Sequence, residues 1–152
     1  MSGKVKKLSE LKLAVFRVLC PGDQYLHEIK KASIRLKERM GDMKHLVNPS
    51  VLIGAFKVAD YSDDEDGYWI GVQVEEYLDI PEDMITLTIP AQSYVTGMHH
   101  GPNHQIMDTY SQLHRWMEAN QHDRALYKWH IEIHHSWSDV NKLEIELLDT
   151  IE

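Results

Sequence analysis

The strongest constraint in this chain is a pattern that occurs twice: strand, turn with Gly and Pro, amphipathic helix, strand, strand. Residues 11–19 are apolar and rich in β-branched and aromatic side chains, the composition of a strand. Pro21-Gly22-Asp23 punctuates it, with Asp23 placed to cap a helix. Tyr25, Ile29, Ala32, Leu36 and Met40 then recur at steps of three or four, the apolar stripe of a helix that Gly41 ends. Residues 51–59 and 68–75 read as two strands joined by the acidic tract 60–66 and Gly67. In the second half, residues 85–89 are strand-like, Pro90-Ala91 interrupts, and 92–98 continue extended. Gly101-Pro102-Asn103 turns into a helix with Ile106, Tyr110, Leu113 and Met117 on one face. Residues 127–135 are strongly β-prone, 138–141 form a turn, and 143–148 close the chain as a strand.

The halves share element order but little residue identity. Such repeats bury their apolar faces against each other or against their own helices. The expected class is therefore α+β: two β-α-β-β repeats, about 8–80 and 84–152, forming one domain over 1–152. A pseudo-twofold axis relates them, antiparallel sheets carry helices on one face, and a ligand groove lies where the repeats meet.

Charge and composition narrow the partners. A formal net charge of -8 disfavours nucleic acid, whose phosphates need a basic surface. Lys4, Lys6 and Lys7 read as a solvated terminus. No stretch approaches the roughly 20 apolar residues of a membrane span. Lys12 and Arg17 break the only apolar run a secretory signal could use. The single cysteine, Cys20, has no partner for an intrachain disulfide, so a cytoplasmic location is expected.

Several segments together resemble the GyrI-like effector-binding family, ligand-binding domains of some AraC-type and MerR-type regulators and of free-standing proteins. Tyr68-Trp69-Ile70-Gly71-Val72 is similar to that family's aromatic-x-Ile-Gly-Val strand. Ile89-Pro90-Ala91, Tyr94 and His100-Gly101-Pro102 are similar to its central strand and turn. Thr109-Tyr110, Leu113 and Trp116 match its second helix, and Glu132 matches its acidic residue on the strand that follows. The likeness spans roughly residues 8–150. His134 stands where family members often carry an aromatic residue. Too few residues precede Leu11 for a helix-turn-helix, so the resemblance implies a ligand binder that does not itself control a promoter.

Glu132 is the most informative single residue. On the strand 127–135, alternation places Tyr127, Trp129, Ile131 and Ile133 on one, core face and Lys128, His130, Glu132 and His134 on the other. The residues alone leave that second face open between plain solvent and a groove. The resemblance implies a partly apolar, aromatic pocket in which a desolvated carboxylate binds lipophilic cations. Trp69 is expected to project beside Glu132, with Gly71 clearing room for a flat ligand. Tyr68, Tyr94, Phe56 and Trp116 complete the candidate ligand-binding set, although Trp116 and Tyr110 also fit plain helix-to-sheet packing.

Ten histidines raise the question of metal. His130 and His134 are roughly 13 Å apart along one strand, and no CxxC, HExxH or paired-carboxylate spacing occurs, so neither metal nor cofactor is expected. Three functions remain. The first is a binder of amphipathic, cationic aromatic compounds. The second, implied by hydrolases similar to this family, opens the cyclopropane ring of genotoxic natural products, with Glu132 activating water and Tyr68 and Trp69 holding the substrate. The third is a protein-binding inhibitor using the acidic surface, as for the family's gyrase-binding namesake.

Overall fold

The computed structural model describes residues 2–59, 63 and 65–152. Its elements run β1 (Lys4–Leu8), β2 (Leu11–Val18), α1 (Tyr25–Met40), β3 (Leu52–Lys57), β4 (Tyr68–Gln73) and β5 (Ile85–Ile89). They continue as β6 (Gln92–Gly101), α2 (Ile106–Ala119), β7 (Trp129–Ser136) and β8 (Leu143–Thr150). The fold is α+β, but the strands form one eight-stranded antiparallel sheet rather than several. Its order is β1-β6-β8-β7-β3-β4-β2-β5. Exchanging β1–β4 with β5–β8 reproduces that order in reverse, with the β3–β7 seam at its centre.

The two short connections show how the sheet closes. Leu8 pairs with Gln92, and Leu11 pairs with Ile89. Ser9-Glu10 and Pro90-Ala91 are thus adjacent kinks in one long ribbon, β1-β2 against β5-β6. In sheet order β1 and β2 lie six spacings apart, roughly 29 Å if the sheet were flat. Three Cα steps from Leu8 to Leu11 span at most ~11 Å. The sheet must curl until its ends meet through the ribbon.

Curling gives both faces of the sheet a covering. The inner face packs on itself through Leu13, Val15, Ile53, Trp69, Tyr94 and Ile131. The outer face receives the helices. The stripe Tyr25, Ile29, Ala32, Leu36 and Met40 of α1 lies over Phe16, Ile70 and Val72. The α2 stripe lies over Val95, Ile145 and Leu147. Leu36 and Leu113 are fully buried, and truncating such a leucine to alanine costs about 2–5 kcal/mol.

Each helix starts by the same device. An extended proline, Pro21 or Pro102, is followed by a 3-10 turn, Gly22–Gln24 or Asn103–Gln105. Asp23 falls inside the first turn and makes no side-chain cap, contrary to expectation. The lysine-rich start is an ordered edge strand, Lys4–Leu8 pairing with β6, although Lys4 and Lys7 do stand in solvent as expected. Tyr127 is not core either. The strand begins at Trp129, while Tyr127 is exposed and donates to Glu152. Residues 60–62 and 64 of the acidic tract lie outside the described residues.

Candidate functional site

A cavity of about 860 Å³ opens between α1 and α2 above the β3–β7 seam. Glu132 reaches its floor because Ile131, one residue before it, is buried in the inner core. Alternation therefore turns His130, Glu132 and His134 outward, beneath the helices. Phe56 and Tyr68 stand beside them, and Tyr110 approaches from α2.

Glu132 is almost fully buried. Its Oε1 accepts a hydrogen bond from the Tyr68 hydroxyl at 2.6 Å, and its Oε2 accepts one from the Tyr110 hydroxyl at 2.5 Å. Tyr68 Oη also lies 2.8 Å from His134 Nε2. A phenol has one proton, and here it is given to Glu132. His134 must therefore donate from Nε2, which leaves its Nδ1 as the unprotonated nitrogen.

Burial, opposed by the Glu132 charge, holds the His134 pKa below the ordinary histidine value, so the ring is neutral at pH 7. Its separation of 3.9 Å from Glu132 Oε1 is thus no ion pair. Burial first, then the Glu132 charge, pushes both phenols well above the usual tyrosine range, so each remains a donor. The floor is an anion held by neutral donors. No Lys or Arg pairs with Glu132 among the described residues.

Gly54 makes this possible. It is the direct cross-strand partner of Glu132, and a Cβ there would overlap the Tyr68 hydroxyl and ring. Tyr68 therefore crosses β3 through the space left by the missing side chain. Phe56 extends the same wall, stacked 6.0 Å from Tyr68 and 5.8 Å from His130 between ring centroids.

A second buried carboxylate, Asp149 of β8, lines the same cavity. It accepts from Arg124 Nε at 2.9 Å and from His114 Nε2 at 2.7 Å. His130 contributes no charge to it. Burial lowers its pKa despite Asp149, its Nδ1 accepts from the Thr150 amide, and its Nε2 lies against the Ala125 carbonyl.

Of the six candidate ligand residues, Glu132, Tyr68 and Phe56 come together in the cavity. Trp69, Tyr94 and Trp116 do not. Trp69 shares a strand with Tyr68 but faces the opposite way, into the inner core, and so cannot stand beside Glu132. Its indole Nε1 is buried with no hydrogen-bond partner among the described residues, and the Arg17 guanidinium covers its ring at 4.8 Å. Gly71 clears no room for a ligand. A Cβ there would strike the Ala14 carbonyl and Val15, so its role is the close approach of β2 to β4. Tyr94 is buried on the inner face, its hydroxyl accepting from Gln92. Trp116 packs beneath Gly3 and stacks on His122, away from the cavity.

Tyr110, His114, Arg124, His134 and Asp149 are contributors outside the candidate set read from the sequence. Tyr110 sits on the apolar stripe of its helix, where its hydroxyl gives no periodic signal. Among the described residues no three His, Cys, Asp or Glu side chains cluster as metal ligands, and no helix is long and apolar enough to cross a membrane.

The family of GyrI-like small molecule binding domains matches residues 1–147. No curated protein matches the sequence. Among solved structures, SAV2435 bound to tetraphenylphosphonium is similar with a TM-score of 0.72 at 16% identity, covering 100% of this chain and 94% of that one. The EcmrR C-terminal domain is similar with a TM-score of 0.69 at 18% identity, covering 99% and 97%. A hydrolase from Listeria innocua is similar with a TM-score of 0.59 at 12% identity, covering 99% and 92%. At these identities the likenesses establish the fold.

Proposed function

Because this chain belongs to the family of GyrI-like small molecule binding domains, we propose that it binds lipophilic cations, with their positive charge set against Glu132. The observation that carries this reading is the partnering of that carboxylate. It is buried, held by two phenols, one of them hydrogen-bonded in turn to a neutral imidazole, and has no basic partner among the described residues. Its charge is left for a ligand to neutralise, in surroundings where screening is weak. Phe56, Tyr68 and Tyr110 add aromatic surface, and a cation over such a ring gains roughly 0.5–2 kcal/mol. Tetraphenylphosphonium in SAV2435 is a ligand of this chemistry.

A second reading, hydrolysis, draws support from the Listeria hydrolase. Against a water-activating role, each Glu132 oxygen already accepts a hydrogen bond from a phenol, which takes one of its two lone pairs. The proposed grip of Tyr68 and Trp69 on a flat substrate loses one half, because Trp69 lies on the other face.

The test is thermal unfolding with tetraphenylphosphonium, a neutral aromatic analogue and an aromatic sulfonate, in wild type and Glu132→Gln. At 100 times its dissociation constant a ligand adds about 2.7 kcal/mol of stability. A cation-selective rise in melting temperature that Glu132→Gln abolishes is the expected result. An equal rise in the variant, or none in wild type, removes the reading. Recovery of a hydrated product by mass spectrometry would favour hydrolysis instead.

A further inference from the structure

Resting on the cation reading above, we infer that the ligand is an amphiphile with one compact cationic head and a long apolar chain, the chain leaving the cavity between α1 and α2. The mouth carries the argument. Leu26 and Ile34 of α1, Val58 after β3 and Met107 of α2 all line the cavity. They are nevertheless 46%, 56%, 46% and 66% exposed. Single exposed apolar side chains need no explanation, but four converging on the lip of one cavity do.

The lip has a direction. Leu26 and Ile34 lie eight residues apart on one helix, so the exposed edge runs about 12 Å along α1, with the stem of Lys30 on the turn between them. A compact aromatic cation seated on Glu132 leaves that edge in water, whereas a chain continuing outward covers it. Lys30 and Lys37 also line the mouth. They outnumber the one carboxylate at that edge, Asp23, and so disfavour a second cationic group there, which leaves the ligand's positive charge single and deep. Two buried carboxylates line the cavity, and Asp149 already has Arg124 and His114; the acid without a basic partner among the described residues is Glu132 with its phenols, which suits one compact head.

The experiment titrates alkyltrimethylammonium salts from butyl to tetradecyl, each below its micelle concentration. Tetraphenylphosphonium serves as reference and a neutral maltoside of the longest chain as control. The dissociation constant is expected to fall about fourfold per added methylene while the chain lies along the lip, then level off. Ile34→Ser combined with Met107→Ser should flatten the series and cost tetraphenylphosphonium, which has no chain to lay along the lip, far less affinity than the tetradecyl salt; both positions are exposed and the fold does not rest on them. The maltoside should not bind.

A flat series in wild type with tetraphenylphosphonium still bound overturns the chain and leaves the cation reading standing. An undiminished slope in the double variant overturns the chain's placement. Failure of every cation, or equal binding of the maltoside, overturns the inference together with the reading beneath it.

Discussion

Glu132 and Asp149 are both buried carboxylates facing one cavity, yet their partners are of opposite kinds. They stand on neighbouring strands, for Glu132 pairs directly with Leu147, two residues before Asp149. Asp149 is ion-paired to Arg124 and hydrogen-bonded to His114. Glu132 has only two phenols, with a neutral imidazole behind one of them. A buried charge with a basic partner contributes to the fold, while one held by neutral donors stays available to something else. The contrast gives Asp149 a structural part and supports the proposal that Glu132 meets the ligand.

The largest effect should come from the structural side. Arg124→Met leaves Asp149 buried with no permanent cation, and breaking such a pair costs about 3–5 kcal/mol. Chemical denaturation measures this directly. A loss below about 1 kcal/mol would mean that Asp149 does not depend on Arg124, and the division between the two acids would collapse.

Next comes Gly54→Ala. Its Cβ occupies the place of the Tyr68 phenol, and overpacking of this kind costs typically ~1–3 kcal/mol. The phenol must move off Glu132, so cation binding should weaken while the Arg124–Asp149 pair stays intact. Melting temperature and tetraphenylphosphonium titration on one sample separate these effects. Unchanged affinity would show that Tyr68 does not prepare the carboxylate.

How much of this was legible in the sequence follows from what periodicity encodes. Period-two alternation correctly separated Tyr68 from Trp69 and Ile131 from Glu132. It could not say which set faces the ligand, because the curled sheet is covered on both sides. The sequence reading assumed one core face and one open face, and so turned Trp69 toward Glu132. Closure of the sheet depends on which strands pair through Ser9-Glu10 and Pro90-Ala91, and no local pattern records that. Both helices were legible because their stripes are local. The Asp149 cluster was not, since Arg124, His114 and Asp149 come from a loop, a helix and a strand. Gly54 had the same weakness: its meaning lies in Tyr68, fourteen residues on.

Acidification tests a feature the two acids share, for each has one buried neutral imidazole beside it. Burial lowers the pKa of His134 next to Glu132 and of His130 next to Asp149. In the unfolded chain both regain an ordinary pKa of about 6.5. Below that pH the unfolded state binds more protons, so stability falls as pH falls, by at most about 1.4 kcal/mol per pH unit for each imidazole. His134→Gln should remove its share of the slope between pH 7 and pH 5. An unchanged slope would mean that His134 titrates alike in both states.

The smallest expected change in stability is that of Glu132→Gln, and its smallness is what the comparison demands. The amide oxygen can accept from one phenol, and the amide nitrogen can donate to the oxygen of the other, so the buried hydrogen bonds persist in neutral form. No cation is stranded, because none was paired with Glu132 among the described residues. Stability should therefore stay within about 1 kcal/mol of wild type, in contrast to the loss expected for Arg124→Met. A large loss would show that the carboxylate charge itself supports the fold, placing Glu132 with Asp149 as a structural acid. A gain would carry the contrast further: an unpaired charge kept in a buried site at a cost in stability makes physical sense where a ligand supplies the missing countercharge.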